Sequence, residues 1–145
     1  MVRLPWRDAS RLEQNVKNGN ARVTGDEQYY TPDDICDQIV KVVQSVVKDW
    51  KTRHWIEPAA GTGNFVKAEI RGGVLMNKII ATDLHPMNKI IIKSDFLDSR
   101  YTVPTGTDSI TVTNPPFGRN NSLCLPFFNK AATFSEYICI IVPKS

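Results

Sequence analysis

Residues 54–73 read His-Trp-Ile-Glu-Pro-Ala-Ala-Gly-Thr-Gly-Asn-Phe-Val-Lys-Ala-Glu-Ile-Arg-Gly-Gly, and this order decides the fold class. His54-Trp55-Ile56 reads as a brief strand. Residues 64–71 read as a short helix, ended by Gly72-Gly73. Between them, Gly61 and Gly63 let the backbone turn tightly and approach a ligand closely. The helix start beyond them offers unpaired N–H groups to an anionic or polar group such as a carboxylate. The same loop also suits a plain turn. It lacks the third glycine of a dinucleotide-binding loop, since position 66 is Val.

Downstream, short apolar segments alternate with turns. Residues 78–82 form a strand that leads into Asp83, and 89–93 form another that leads into Ser94-Asp95-Phe96. Only eleven residues separate Asp83 from Asp95. A parallel crossover ordinarily takes about a dozen or more, so a turn at Pro86 is expected there instead of a full helix. Residues 109–113 make a strand that runs into Asn114-Pro115-Pro116-Phe117-Gly118. A helix over 122–134 follows, and then the apolar run 137–142, patterned as a strand buried on both faces. Upstream, Thr31-Pro32-Asp33-Asp34 reads as a helix start, with a capping hydroxyl, proline at the first helical position and acids at the positive dipole end. Ile35, Ile39, Val42, Val43, Val46 and Val47 continue at helical spacing until Trp50 closes the helix. Residues 1–28 are a polar N-terminal segment with room for a short helix over 9–17. The alternation over 29–145 predicts one α/β domain with a mostly parallel sheet.

Composition sets limits without naming a function. The chain has 145 residues, of which 41% are hydrophobic and 23% charged, as expected of a single globular domain. Eighteen Lys and Arg against fifteen Asp and Glu give a net charge of +3, which permits nucleic-acid binding without requiring it. Cys36, Cys124 and Cys139 are widely spaced and there is no CxxC. A disulfide framework or zinc site is therefore not expected, nor is any other metal site. No stretch has the length of a signal peptide or a membrane span, so we expect a soluble intracellular protein: cytoplasmic, nuclear or viral.

Four places carry chemistry. The glycine loop is the first. Asp83, about twenty residues past that loop, can accept hydrogen bonds from ribose hydroxyls, or simply cap the next turn. Asp95 can accept from an adenine amino group while Phe96 packs against the ring, or Phe96 can be plain core. In Asn114-Pro115-Pro116-Phe117 the prolines fix a loop at the end of a strand. The Asn114 side-chain oxygen and a proline carbonyl then form two rigidly held acceptors. Two acceptors suit an –NH2 group, and Phe117 offers a face for a flipped-out base. Arg119, just beyond, is either a surface charge or a phosphate contact.

Together these residues resemble the S-adenosylmethionine (SAM)-dependent N6-adenine DNA methyltransferases. Tyr29-Tyr30-Thr31-Pro32 is similar to that family's Tyr-Thr-Pro segment, and Pro58 through Phe65 to its glycine motif. Asp83 matches its ribose acid, Asp95-Phe96 its adenine-ring pair, and Asn114-Pro115-Pro116-Phe117 its catalytic motif, in the gamma-type order. The resemblance implies a Rossmann-like class I methyltransferase sheet and SAM as cofactor. It implies a SAM site lined by Tyr30, Thr31, Glu57, Pro58, Ala60, Gly61, Gly63, Asn64 and Phe65, with Asp83, Leu84, Asp95, Phe96 and Asn114. It further implies that Asn114, Pro115, Pro116 and Phe117 hold and stack the target base, in DNA more readily than in RNA. No general base is implied if the amine loses its proton after attack. The family continues past the fifth strand with two more strands and usually a target-recognition region. Here the sheet is expected to stop at the fifth: either the chain is a fragment of such a domain, or a second chain or a second copy covers the edge, or the edge is managed in another way.

Three other readings remain. Asn-Pro-Pro-aromatic motifs also serve glutamine N5 methyltransferases, whose carboxamide –NH2 needs the same two acceptors. RNA adenine fits the same pocket chemistry. A short domain can also be an inactive SAM-binding or scaffolding subunit.

Overall fold

The computed structural model describes residues 30–104 and 108–142, so the helix expected over 9–17 lies outside them. The elements in chain order are α1 (Asp33–Val46), β1 (His54–Glu57), α2 (Asn64–Arg71), β2 (Ile79–Asp83), β3 (Ile92–Lys93), β4 (Ser109–Thr113), α3 (Cys124–Ala132) and β5 (Ser135–Ile140). The five strands form one parallel sheet in the order β3-β2-β1-β4-β5. The chain therefore builds outward from β1 through β2 to β3, then returns to β1's other side for β4 and β5. That reversal leaves a crevice at the carboxyl ends of β1 and β4, the usual ligand position in open α/β sheets. None of the described helices is long and apolar enough to cross a membrane.

Side chains alternate across the sheet and so feed two cores. On one face α1 and α2 pack Ile35, Ile39, Val43, Phe65 and Ala68 against Trp55, Ile110 and Val112. On the other, Phe96, Phe127 and Ala131 form a cluster that Ile138 joins. Cys139, the next residue of β5, joins the first core instead.

The expected boundaries of α2 and β4 hold, as does the turn after Asp83; β1 runs one residue further, to Glu57, β2 is displaced by one, and α3 is shorter than the expected 122–134, while four other expectations change more. First, α1 stops at Val46, short of Trp50, because the backbone leaves the helix at Val47. Trp50 stands edge-on to Trp55 and accepts the Trp55 indole N–H on its carbonyl at 3.1 Å. Second, Thr31 does not cap α1. Pro32 occupies the cap position, and its carbonyl takes the N–H groups of Ile35 and Cys36. Third, β3 is two residues long. Asn88 turns the chain, with its side chain accepting from Ile90 N–H, and Ile91 leaves the strand line to pack on Ala60, Val66 and Ala81. Fourth, β5 starts at Ser135, whose hydroxyl bonds those of Ser109 and Thr111 at 2.7 Å each. It is not buried on both faces: as the edge strand it leaves Glu136 and Tyr137 exposed. Arg53 reaches across the sheet to that edge, pairing with Glu136 at 3.4 Å and lying over the Tyr137 ring.

One buried charge stands out. Glu69, on α2, is fully buried, and neither carboxylate oxygen has a hydrogen-bond partner among the described residues. Burial first, and then the nearby Glu57, drives its carboxyl well above the ordinary range. A carboxyl raised on folding binds its proton more tightly in the folded chain than in the unfolded one. Its contribution is complete below the unfolded value near 4.5 and is lost as pH rises through the folded value. The midpoint of thermal unfolding should therefore fall as pH rises above about 4.5. In Glu69→Gln, which mimics the neutral acid, that slope should flatten. An equal slope in both proteins would mean that Glu69 does not control it.

Candidate functional site

A cavity of about 560 Å³ opens at the carboxyl ends of the central strands, within the range of small-molecule sites. Each wall comes from a separate segment. The loop after β1 supplies Pro58 through Thr62, and α2 supplies Asn64 and Phe65. The end of β2 supplies Asp83, Leu84 and His85, and the segment after β3 supplies Ser94 through Leu97. The loop after β4 supplies Asn114, Pro116, Gly118 and Arg119, while Leu123 and Phe127 close the side next to α3. Tyr30 and Thr31 enter from upstream.

The glycine loop and Asp83 are built as one unit. Gly61 sits at φ +55°, and a Cβ there would stand 3.4 Å from the Tyr30 ring. Its N–H donates to Asp83 Oδ2 at 2.8 Å, while Asp83 Oδ1 accepts from His85 N–H at 2.7 Å. Asp83 thus caps the next turn and lines the cavity at once. Each oxygen keeps a lone pair for a further donor. Asp95 repeats the pattern: Oδ1 accepts from Leu97 N–H at 2.9 Å and the residue lines the cavity. Phe96 serves both as core and as wall, 2% exposed and packed on Tyr101, Phe127 and Phe134. Burial, and after it Asp83, raises the Tyr30 phenol, which keeps that rim neutral.

Four of the expected site residues are not part of the lining. Glu57 is buried under the loop, where Oε1 accepts from Ala59 N–H at 2.9 Å. Burial pushes its carboxyl up to about 8, only partly offset by the Thr113 hydroxyl and that N–H. It shapes the loop from below. Gly63 is buried at the start of α2, and Pro115, directly after Asn114, is buried too. Phe117 is half-buried between Pro116 and Gly118, which do line the cavity, and its carbonyl accepts from Leu123 N–H at 3.0 Å. Tyr29 lies outside the described residues.

Sequence reasoning missed Ala59, Thr62, His85, Ser94, Leu97, Gly118, Leu123 and Phe127. Most of these neighbour residues that it named. Leu123 and Phe127 carried a fainter signal: apolar residues four apart on a predicted helix, whose facing only the packing decides.

Gly118 makes the turn that carries Asn114 past α3. It sits at φ +69°, and a Cβ would stand 2.7 Å from Leu123 Cγ and 2.8 Å from Ser122 Oγ. Gly118→Ala should therefore destabilise the fold by roughly 1–3 kcal/mol in denaturant unfolding. Loss of under about 0.5 kcal/mol would show that the loop adapts freely.

No protein-family model and no curated protein matches the chain. Among solved structures it superposes on a Pyrococcus horikoshii protein described as a "putative RNA methyltransferase". The TM-score is 0.60 at 19% identity, and the match covers 87% of this chain and 70% of that one. The likeness establishes a shared Rossmann-like α/β fold, with the five-stranded parallel sheet described above.

Proposed function

We propose that this chain is a SAM-dependent methyltransferase that acts on an exocyclic amine, the N6 amine of adenine in DNA. The observation that carries this reading is the shared cavity. Asn114 and Pro116 share one space with the glycine loop, Asp83 and the Asp95-Phe96 pair. Cofactor-type and target-type chemistry thus meet within reach of each other.

The residues present fit SAM. Asp83 and Asp95 each hold one loop N–H per bonded oxygen and still face the cavity, as acceptors for ribose hydroxyls and an adenine amino group. Phe96, Leu123 and Phe127 supply an apolar wall for a purine. When bound, SAM supplies an electrophilic methyl group and a neutral thioether leaving group. Asn114 Oδ1 and the adjoining backbone carbonyl of Pro115 would take the two N–H groups of the target amine. Holding both aims the nitrogen lone pair across the cavity. The amine's surplus proton goes to water after the new N–C bond forms, so no side-chain base is needed. Phe117, between two lining residues, would stack on the base at the cavity mouth. The work is orientation and electrostatic positioning.

RNA adenine is the second reading, favoured by the description of the Pyrococcus horikoshii neighbour. Labelled SAM incubated with adenine-containing DNA and RNA oligonucleotides separates the two. The proposal expects N6-methyladenine from the wild type, more from DNA, and a loss of at least about a hundredfold in Asn114→Ala with SAM affinity largely kept. Transfer that survives in Asn114→Ala would remove that residue from the chemistry. Product only from RNA would select the second reading.

A further inference from the structure

Thr31 carries the chemistry of a helix cap but does not act as one. Its hydroxyl turns away from α1 and accepts the side-chain N–H of Asn114, Nδ2 to Oγ1, at 3.1 Å. The contact is buried: Thr31 is 4% exposed and Asn114 9%. The Thr31 carbonyl is held as well, accepting from Asn64 Nδ2 at 2.9 Å and from the Cys36 thiol at 3.6 Å. Asn64 opens α2 directly after the glycine loop, and its Oδ1 accepts from the Thr62 hydroxyl at 3.1 Å. Thr31 is thus tied on one side to the glycine loop and on the other to the residue expected to hold the target.

An asparagine amide has a donor end and an acceptor end. With Nδ2 donating to Thr31, the amide is set with Oδ1, its acceptor end, directed away from Thr31. A hydroxyl can also donate, so a flipped amide could bond Thr31 through Oδ1. That arrangement would present Nδ2 to the substrate, donor against donor for an –NH2 group. The orientation of this one amide therefore decides whether the site accepts an amine or a group that is itself an acceptor, such as a ring nitrogen or a carbonyl.

We propose that Thr31 is a positioning residue that sets the Asn114 amide with its oxygen toward the target, and so selects a hydrogen-bond donor as substrate. The inference rests on the proposed amine methylation for its consequence, while the hydrogen bond itself can be tested without any activity.

The structural arm uses nitrogen-15 NMR on the full chain. The Asn114 side-chain signals are identified by their disappearance in Asn114→Asp. In the wild type one of the two protons should be shifted and protected from exchange. Thr31→Val, close in shape and without a polar group, should abolish this, and Thr31→Ser should keep it. An unprotected Asn114 amide in the wild type would overturn the proposal whether or not any variant folds. So would unchanged signals in a folded Thr31→Val.

The functional arm measures methyl transfer to the adenine oligonucleotide. Thr31→Val should lower kcat about tenfold, the worth of one such hydrogen bond, with the KM for SAM changed less than about threefold; Thr31→Ser should restore most of the rate. In the Asn114→Asp background, where both ends of the side chain are oxygens and no flip can present a donor, the Thr31→Val penalty should shrink to less than about threefold. An equal penalty in both backgrounds, or a loss confined to SAM binding, would overturn the positioning role. If the wild type transfers no methyl to any amine, the functional reading fails, and the NMR result still decides the amide's orientation.

Discussion

The pairing of β1 with β4, with Trp55 beside Ile110 and Ile56 beside Thr111, is the constraint on which the rest of the structure depends. β1 also pairs with β2 on its other edge, so it sits at the point where the strand order reverses. Parallel pairing puts the carboxyl ends of all three strands on one side. The glycine loop, Asp83 and the Asn114-Pro115-Pro116 turn then emerge together, although 56 residues separate Pro58 of the glycine motif from Pro115. Chemistry dispersed along the chain converges because three short buried strands align.

Once the loops converge, hydrogen bonds fix their shape. Asp83 holds Gly61, and Asn64 and Asn114 hold Thr31 from opposite sides. The Asp83 and Asn114 contacts are buried and the Asn64 contact partly so, and buried polar groups cost heavily when unpaired. The loops are therefore held in place before any ligand arrives, the preorganisation that binding and positioning require. Below them Glu57 and Glu69 are buried with carboxyls raised by desolvation. Both carboxyls thus favour the protonated form on folding, which makes the stability of the fold sensitive to pH.

Where local chemistry and tertiary packing agreed, the sequence was readable. β4 is bounded by a polar residue before it and Asn-Pro-Pro after it, and α2 lies between the glycine loop and Gly72-Gly73; both boundaries were legible. Asp83, Asp95, Phe96 and Asn114 were legible by spacing from their strands, and all line the cavity. Tertiary contacts overrode local signals elsewhere. The Ile90-Ile91-Ile92 run has the composition of a strand, yet an Asn88 turn and the burial of Ile91 leave only its last residue paired. The edge position of β5 was expected from the strand count, but its apolar run suggested burial on both faces, and the edge leaves Glu136 and Tyr137 exposed instead. Thr31 had every mark of a cap, and the partner that displaced that role lies 83 residues away.

The central claim is that the cavity at the β1–β4 reversal is a SAM site built on the glycine loop. Isothermal titration of the folded chain with SAM and S-adenosylhomocysteine, beside Gly61→Arg, tests it most directly. Gly61 lies against the Tyr30 ring at positive φ, so an arginine there would fill the cavity and strain the loop. Both ligands should bind the wild type saturably, and neither should bind a folded Gly61→Arg. A folded wild type that binds neither, or a folded variant that binds as well as the wild type, would contradict the claim.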